Sequence, residues 1–422
     1  MFEAGSQPLY AVGGVVRNAL MDLPASDVDL CGPATPEQVS ALCAGTAIRS
    51  VLRAAHFGTV ELHLADADGR HMAEYTTFRV DSYRCGHQPS AVRFAPNADI
   101  DALRRDFSVN ALYCRLHADP DAPLRVVDPT GGLAHLAAGV LHTVTADPDQ
   151  VLKDDGLRIL RAARFQAELG LTPTPALLLS ATKYAPLLAD IALERLRDEL
   201  CKLLLSDGRY PSLARRENPV VAGLVTLRQT GAWAALFGTL PPDEAGIAAQ
   251  AHYVAPEGMP PLAGKLSLLF WQATPEALSA CTERLRLNQR ETAAAQGALS
   301  AIQRIMQGQF TLMDAVRVGT PAARQAIAAF RALAASGVAC GPWLALAESV
   351  GAQLSSGIPL TLKDLAIHGD DLLPLCQRMG LPAKHIGAAL DALWQAAVTG
   401  SLPNEHAALL ARAEHWLSAQ LP

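Results

Sequence analysis

The stretch LYAVGGVVRNALMDLPASDVDL, residues 9–30, decides the fold of the N-terminal part of this chain. Leu9 to Val12 is a short apolar strand, Gly13-Gly14 breaks it, a helical turn carries Arg17, and a second strand holds Asp27 and Asp29. Side chains two apart on a strand share a face, so Asp27 and Asp29 project together while Val28 and Leu30 face the other way. Two carboxylates that close repel each other unless a cation lies between them, and a divalent hard cation bound by oxygens is the usual resolution. The paired glycines let backbone N–H groups approach an anion at the start of a helix, where the dipole favours negative charge. Anion cradle and metal pair together point to a nucleoside triphosphate. An isolated D-x-D is more often a solvated strand edge; the order strand, turn, helix, strand with an arginine between is what carries the reading.

The chain has 422 residues, too many for one ordinary core, which predicts two to four domains. Hydrophobic residues make up 50% and charged ones 18%, so the composition excludes a disordered protein. The net charge of −6 does not advertise a nucleic-acid binder, so any RNA contact must come from local basic clusters. Such clusters occur at Arg104-Arg105, Arg158/Arg161/Arg164, Arg195/Arg197/Lys202 and Arg215-Arg216. The eight cysteines are scattered without a C-x-x-C pair, which argues against zinc and against a disulfide framework. The opening residues lack a basic start and an apolar run, and no apolar stretch is long enough to span a bilayer. The expectation is a soluble, cytoplasmic protein with no membrane contact and no protein partner.

Residues 1 to about 142 mix helical PEQVSALCAG with strand-like FGTVELHLAD, a turn at 67–70 and a strand HMAEYTTFRV, which makes the fold class α+β. From about 149 onward Ala/Leu-rich helical spacing dominates, interrupted by LPPDEAG, VAPEGMPPLAG and SSGIPL. DALRRDFSVNALYCRL, residues 101–116, sets Arg104, Arg105 and Asp106 ahead of an apolar run. In VVDPTGGLAHLAAGVLHTV, residues 126–144, Pro presets φ and Gly accepts positive φ, so it reads as a structural turn. DDGLRILRAARFQAELGL, residues 154–171, reads as a helix with 154, 158, 161 and 165 on one face, Asp155 spaced to pair with Arg158, and an apolar stripe at 157, 160, 163 and 167. In isolation that is an ordinary surface helix; functionally, an Asp and an Arg side by side present acceptors and donors able to read a base edge.

With these stretches in hand, the sequence resembles the class II tRNA nucleotidyltransferases, the CCA-adding enzymes and their poly(A) polymerase relatives. GGVVRN with DVDL resembles GGxVRD…DxD, RRDFSVNAL resembles RRDFTxNAL, DPTGGLAHLAAGVL resembles DPxGGLxDLxxGxx, DDGLRILRAARF resembles EDxLRxxRAxRF, and ERLRDELCKLL at 194–204 resembles ERIxxELxKxL. The five run colinearly over about the first 205 residues. The resemblance implies a palm-like catalytic head at 1–142, a helical neck at 143–210, a helical body at 211–335 and a helical tail at 336–422 that contacts tRNA. It implies addition of CCA to tRNA from CTP and ATP, with Asp27 and Asp29 catalytic and holding Mg²⁺. Gly13, Gly14 and Arg17 would contact the triphosphate, Arg105 and Asp106 the sugar and phosphates, and Asp155 and Arg158 the base. Arg161 and Arg164 would support both, and Glu74 would stand as a third carboxylate. Departures from the pattern are Asn18 for Asp, Asp154 for Glu, His135 for an acid, and a loop at 78–94 with His87-Gln88 near the usual basic pair. The alternatives are a CC-adding or A-adding enzyme, a poly(A) polymerase, or a non-catalytic RNA-binding protein with a relic head.

Overall fold

β1 (Leu9–Val12) is flanked on both sides by antiparallel partners, and its register brings the distant sequence motifs to one end of a sheet. In this computed structural model residues 26, 67–68, 84–89, 216 and 422 are not described; the turn centre at 67–68, His87-Gln88 and Arg216 therefore lie outside the described residues. Besides a two-residue parallel pair, Val140–Leu141 with Thr172–Pro173, the other strands are β2 (Val28–Gly32), β3 (Ile48–Ala54), β4 (Thr59–Asp66), β5 (Gly69–Thr77), β6 (Arg79–Ser82), β7 (Ala91–Phe94), β8 (Tyr113–Leu116) and β9 (Arg125–Val127). Seven form one sheet in the order β3-β4-β5-β2-β1-β8-β9, parallel only between β2 and β5, while β6 and β7 make a separate hairpin.

Ala11 pairs with Leu30 and Val12 with Tyr113, so the end of β1 and the starts of β2 and β8 meet at one edge. The helix α1 (Gly14–Leu20) leaves from that edge, and the segment carrying Arg104 to Asn110 arrives there. Helices α2 (Pro36–Cys43), with a Thr35/Gln38 capping box and Pro at its first turn, and α3 (Ala98–Ala102) cover the sheet. The strand expected over 71–80 breaks at Phe78. That ring is buried, 5.7 Å from the Tyr10 ring and 6.1 Å from the Tyr113 ring, and the chain turns there from β5 into β6. The structure also contains β3, which the sequence pattern did not single out.

α4 (Gly132–Ala137) is capped by Asp128, whose two carboxylate oxygens accept from the N–H groups of Gly132 and Leu133 at 2.7 and 2.9 Å. The turn read in DPTGG is present at Pro129 and Thr130, with Gly131 at φ 75°, and it leads from β9 into α4. The helices α5 (Pro148–Asp154), α6 (Leu157–Leu169), α7 (Pro175–Tyr184), α8 (Leu193–Leu204) and α9 (Pro219–Gln229) follow. The expected helix over 154–171 starts only at Leu157, because Asp155 is extended at φ −146° and separates α5 from α6. Residue 154 therefore does not share a face with 158, 161 and 165. Nor is α6 a surface helix: besides Leu157, Leu160, Ala163 and Ala167, it buries Arg158, Arg164, Phe165 and Glu168. Gly223 lets α9 approach, since a Cβ there would lie 2.9 Å from Leu203 and 3.1 Å from the Ala163 carbonyl.

The chain divides into two compact units, residues 1–242 and 243–422. The second is helical, with one core running from Ala249 through Phe330 to Leu354 and another from Leu365 to Leu417. The four parts expected from the sequence are finer than these units, and the first core of the second unit continues past 335 into helix Gly341–Leu354. No helix among the described residues is long and apolar enough to cross a membrane.

Candidate active site

Gly13 adopts φ 76° and ψ −128°, a backbone state that only glycine takes without strain, and it turns the chain from β1 into α1. Its N–H is committed to the Leu112 carbonyl at 3.2 Å, so of the glycine pair only Gly14, the first residue of α1, is placed to offer an amide outward. A Cβ at Gly13 would lie 3.8 Å from Arg105 Nη1 and 3.9 Å from Asp29 Oδ2, which locates the arginine and the aspartate around the turn. Below them opens a cleft of about 630 Å³ lined by Gly13, Gly14, Arg17, Asp27, Asp29 and Arg105, and on its other wall by Arg161, Arg164 and Phe165.

The walls are joined by a continuous polar chain. Arg161 Nε donates to Asp106 Oδ2 at 2.8 Å, Asn110 Nδ2 donates to Asp106 Oδ1 at 3.2 Å, and Arg17 Nη1 donates to Asn110 Oδ1. Burial would raise the Asp106 carboxyl, but Arg161 and Arg158 override it and hold it well below the usual range. Arg164 bridges Glu199 at 2.5 Å and Glu168 at 2.7 Å. The Phe165 ring is the common platform of three guanidinium groups, with Arg164 4.0 Å and Arg17 and Arg161 each 5.2 Å from its centroid. Arg105 is fixed by Asp101 and by the Tyr113 hydroxyl at 3.0 Å. Desolvation in the cleft raises the Asp29 carboxyl; Arg105 opposes the shift and Asp27 adds to it.

Three family models match: the poly A polymerase head domain over residues 9–142, the RNA and SrmB-binding site of polymerase A over 170–215, and tRNA nucleotidyltransferase domain 2 over 265–413. A CCA-adding enzyme of Lactiplantibacillus plantarum is 30% identical over 97% of this chain and 92% of its own. The chain belongs to the CCA-adding enzyme family. The CCA-adding enzyme of Geobacillus stearothermophilus is likewise 30% identical, over 94% of this chain and 90% of its own. Among solved structures, the Bacillus stearothermophilus CCA-adding enzyme in complex with CTP superposes with a TM-score of 0.70 at 25% identity, covering 99% and 95% of the two chains.

Within this CCA-adding enzyme fold the expected residues fall into two groups. Gly13, Gly14, Arg17, Asp27, Asp29, Arg105, Asp106, Arg161 and Arg164 line one cleft. Asp155 and Arg158 are not among its lining residues. The Asp155 carboxylate pairs with Arg195 at 3.0 Å, and Arg158 meets Asp155 through its backbone N–H, which donates to the Asp155 carbonyl at 3.1 Å. Arg158 is buried and donates to the carbonyls of Val151 and Arg104 at 3.0 and 2.5 Å. Glu74 is in register with Asp29 and shares with it a neighbouring recess of about 230 Å³, lined also by Arg79, Arg104 and Arg105, and burial together with Asp29 and Glu61 raises its carboxyl. Among the described residues no group of three or more His, Cys, Asp or Glu could hold a metal. Two solvent-facing carboxylates whose charges oppose each other suit a magnesium ion, which takes one or two carboxylates and completes its shell with water and phosphate oxygens. His135 accepts or donates at Nδ1 to Ser108 Oγ at 2.8 Å and stacks on His142, holding α4 against the Arg104–Asn110 segment. Sequence reasoning did not assign roles to Asn110, Glu168, Lys202, Arg209 or Tyr210, which also line the cleft. Asn110 lies inside the RRDFSVNAL match and Lys202 inside the ERLRDELCKLL match and its basic cluster, and Glu168 lies in the helix read over 154–171.

Proposed function

We propose that this protein adds CCA to the 3′ end of tRNA, taking CTP and then ATP and releasing pyrophosphate. One observation carries the reading: Asp27 and Asp29 open onto the same cleft as Arg17, Arg105, Arg161 and Arg164, in a chain that matches CCA-adding enzymes over nearly its whole length. One solved relative is in complex with CTP and another with ATP. A third, from Thermotoga maritima, is complexed with tRNA. Asp27 and Asp29 would hold Mg²⁺, which when bound favours ionisation of the tRNA 3′-hydroxyl and offsets charge on the α-phosphate. Arg17, Arg105, Arg161 and Arg164, with Gly13 and Gly14, position the triphosphate; Arg105 and Asp106 hold its sugar end. The 3′-oxygen then bonds to the α-phosphorus as the bond to the β-phosphate oxygen breaks. Asp155 and Arg158, which do not line the cleft, would read the base once freed from Arg195 and from the Val151 and Arg104 carbonyls, the carboxylate accepting and the guanidinium donating. Residues 1–142 act as catalytic head, 143–210 as neck, 211–335 as body and 336–422 as tail gripping tRNA, in the cytoplasm.

Incubation with a tRNA lacking its terminal nucleotides, CTP and ATP tests this at single-nucleotide resolution. The expected product is three nucleotides longer. Extension by two cytidines alone makes it a CC-adding enzyme, and extension by a lone A makes it an A-adding one. Long A tails on unstructured RNA make it a poly(A) polymerase, and tRNA binding without incorporation makes it a binding protein.

A further inference from the structure

Three guanidinium groups share one ring in the wall of the cleft. Arg164 lies 4.0 Å from the Phe165 centroid, at stacking distance, while Arg17 of α1 and Arg161 of α6 each lie 5.2 Å from it. The ring is itself fixed, being 5% exposed and meeting the fully buried Phe107 edge to face, with 5.8 Å between centroids and 83° between planes. Phe107 follows Asp106, whose carboxylate accepts from Arg161. Residues 106 and 107 therefore hold α6 at two points one helical turn apart, a carboxylate on Arg161 and a ring on Phe165.

The two kinds of hold differ in what they consume. Carboxylates fix Arg161 and Arg164 through their N–H groups, and a donor so used is lost to a ligand. An aromatic face attracts a cation by its negative charge, with no lone pair to occupy an N–H. It also draws together cations that repel one another: burial pulls the Arg17 guanidinium down to about 10 and the Arg164 charge adds to the pull, against Tyr210, Glu168 and Asp106. We infer that Phe165 is a positioning residue, whose ring gathers Arg17, Arg161 and Arg164 around the polyphosphate of the incoming nucleotide without taking N–H donors from its oxygens. The inference rests on the reading of these arginines as triphosphate contacts. Because the phosphates are common to both nucleotides, the ring serves CTP and ATP alike.

Graded fluorination of the ring is the test, since each fluorine drains charge from the face and changes the size of the ring little. Phe165 is replaced in turn by mono-, di- and trifluorophenylalanine. Steady-state kinetics are read with a tRNA ending before CCA, together with inhibition by inorganic pyrophosphate. The KM for CTP and for ATP is expected to climb with each fluorine, to about fivefold at three, with pyrophosphate inhibition weakening in step and the KM for tRNA within about twofold. Phe165→Leu, which keeps an apolar side chain and removes the face, raises the nucleotide KM about tenfold, and Phe165→Tyr recovers most of that loss. A nucleotide KM that stays flat across the fluorinated series overturns the inference, and a rise confined to Phe165→Leu then assigns the ring to packing alone. A lower melting temperature or kcat with both constants intact overturns it as well. Arg17→Gln tests the reading beneath. Nucleotide KM and pyrophosphate inhibition untouched by Arg17→Gln means that Arg17 is no triphosphate contact; both altered there while the fluorinated series stays flat means that only the role of Phe165 fails.

Discussion

Asp29 faces the cleft because Ala11 pairs with Leu30, which brings the start of β2 level with the glycine turn. Its neighbour Asp27 precedes the strand and is exposed. Either residue changed to Asn removes one charge while conserving shape. Nucleotide incorporation is expected to fall by at least about 10³-fold in each, with tRNA affinity in a filter-binding assay within about twofold. Incorporation near the wild-type rate in the double variant would show that the pair is not the catalytic centre. Arg158 poses a different question, since its guanidinium ties α6 to the Val151 and Arg104 carbonyls. Arg158→Lys cannot reach both, and the expected loss is about 1–3 kcal/mol. Melting should fall by roughly 2–8 °C and the choice of CTP over UTP should relax. Lower melting with selectivity intact would make Arg158 a purely structural tie. The D-x-D was legible because both residues lie on one short segment; the partners of Arg158 were not, because one of them lies 54 positions upstream.

Among the elements, α4 shows how a motif with no catalytic side chain shapes the site. Its first residue, Gly132, packs directly on the segment that carries Asp106 and Asn110: a Cβ there would sit 2.2 Å from the Ser108 carbonyl oxygen. Gly132→Ala must push that backbone aside, at a cost of about 1–3 kcal/mol. The expected outcome is a lower urea midpoint together with a raised nucleotide KM, since Asp106 and Asn110 move with the backbone. A stable variant with unchanged KM would mean that α4 is decoupled from the site. The helical character of DDGLRILRAARF was readable from its spacing, yet its start and its burial were not. Asp155 is extended because its carboxylate bonds the Leu157 N–H and Arg195 of α8, and α6 is covered by α8 and α9, elements far along the chain. β3 was missed for a similar reason: IRSVLRA carries no clear alternation, and its strand form comes from pairing with β4.

Over the whole molecule, a net charge of −6 coexists with a cleft crowded by arginines, and acid should expose that arrangement. Burial pushes the Asp101 carboxyl up, but Arg105 and Arg104 win and hold it below its ordinary 3.8; Asp106 is likewise held down by Arg161 and Arg158 against its burial. Folded carboxyls below their unfolded value contribute stability that is complete above about pH 5 and is lost as pH falls through 3.8 toward the folded values. Urea midpoints taken from pH 7 to pH 3 should therefore stay level to about pH 5 and then decline, and Asp106→Asn should flatten the decline. A midpoint equally acid-sensitive in Asp106→Asn would assign the loss to other groups.

The sequence by itself determined the α+β head with its helical continuation and the pair Asp27 and Asp29, which rest on short-range spacing and local composition, while the arginines at 17, 105, 161 and 164 were legible through the resemblance of their motifs to a known family. Only the tertiary structure decided what those arginines hold. Asp106, Asn110, Asn18 and Tyr210 form one hydrogen-bonded chain although they lie up to 192 positions apart. Charge at a site depends on which partners burial brings within reach: at Arg17 amides accept the hydrogen bonds, while the Glu168 and Asp106 carboxylates act on its charge.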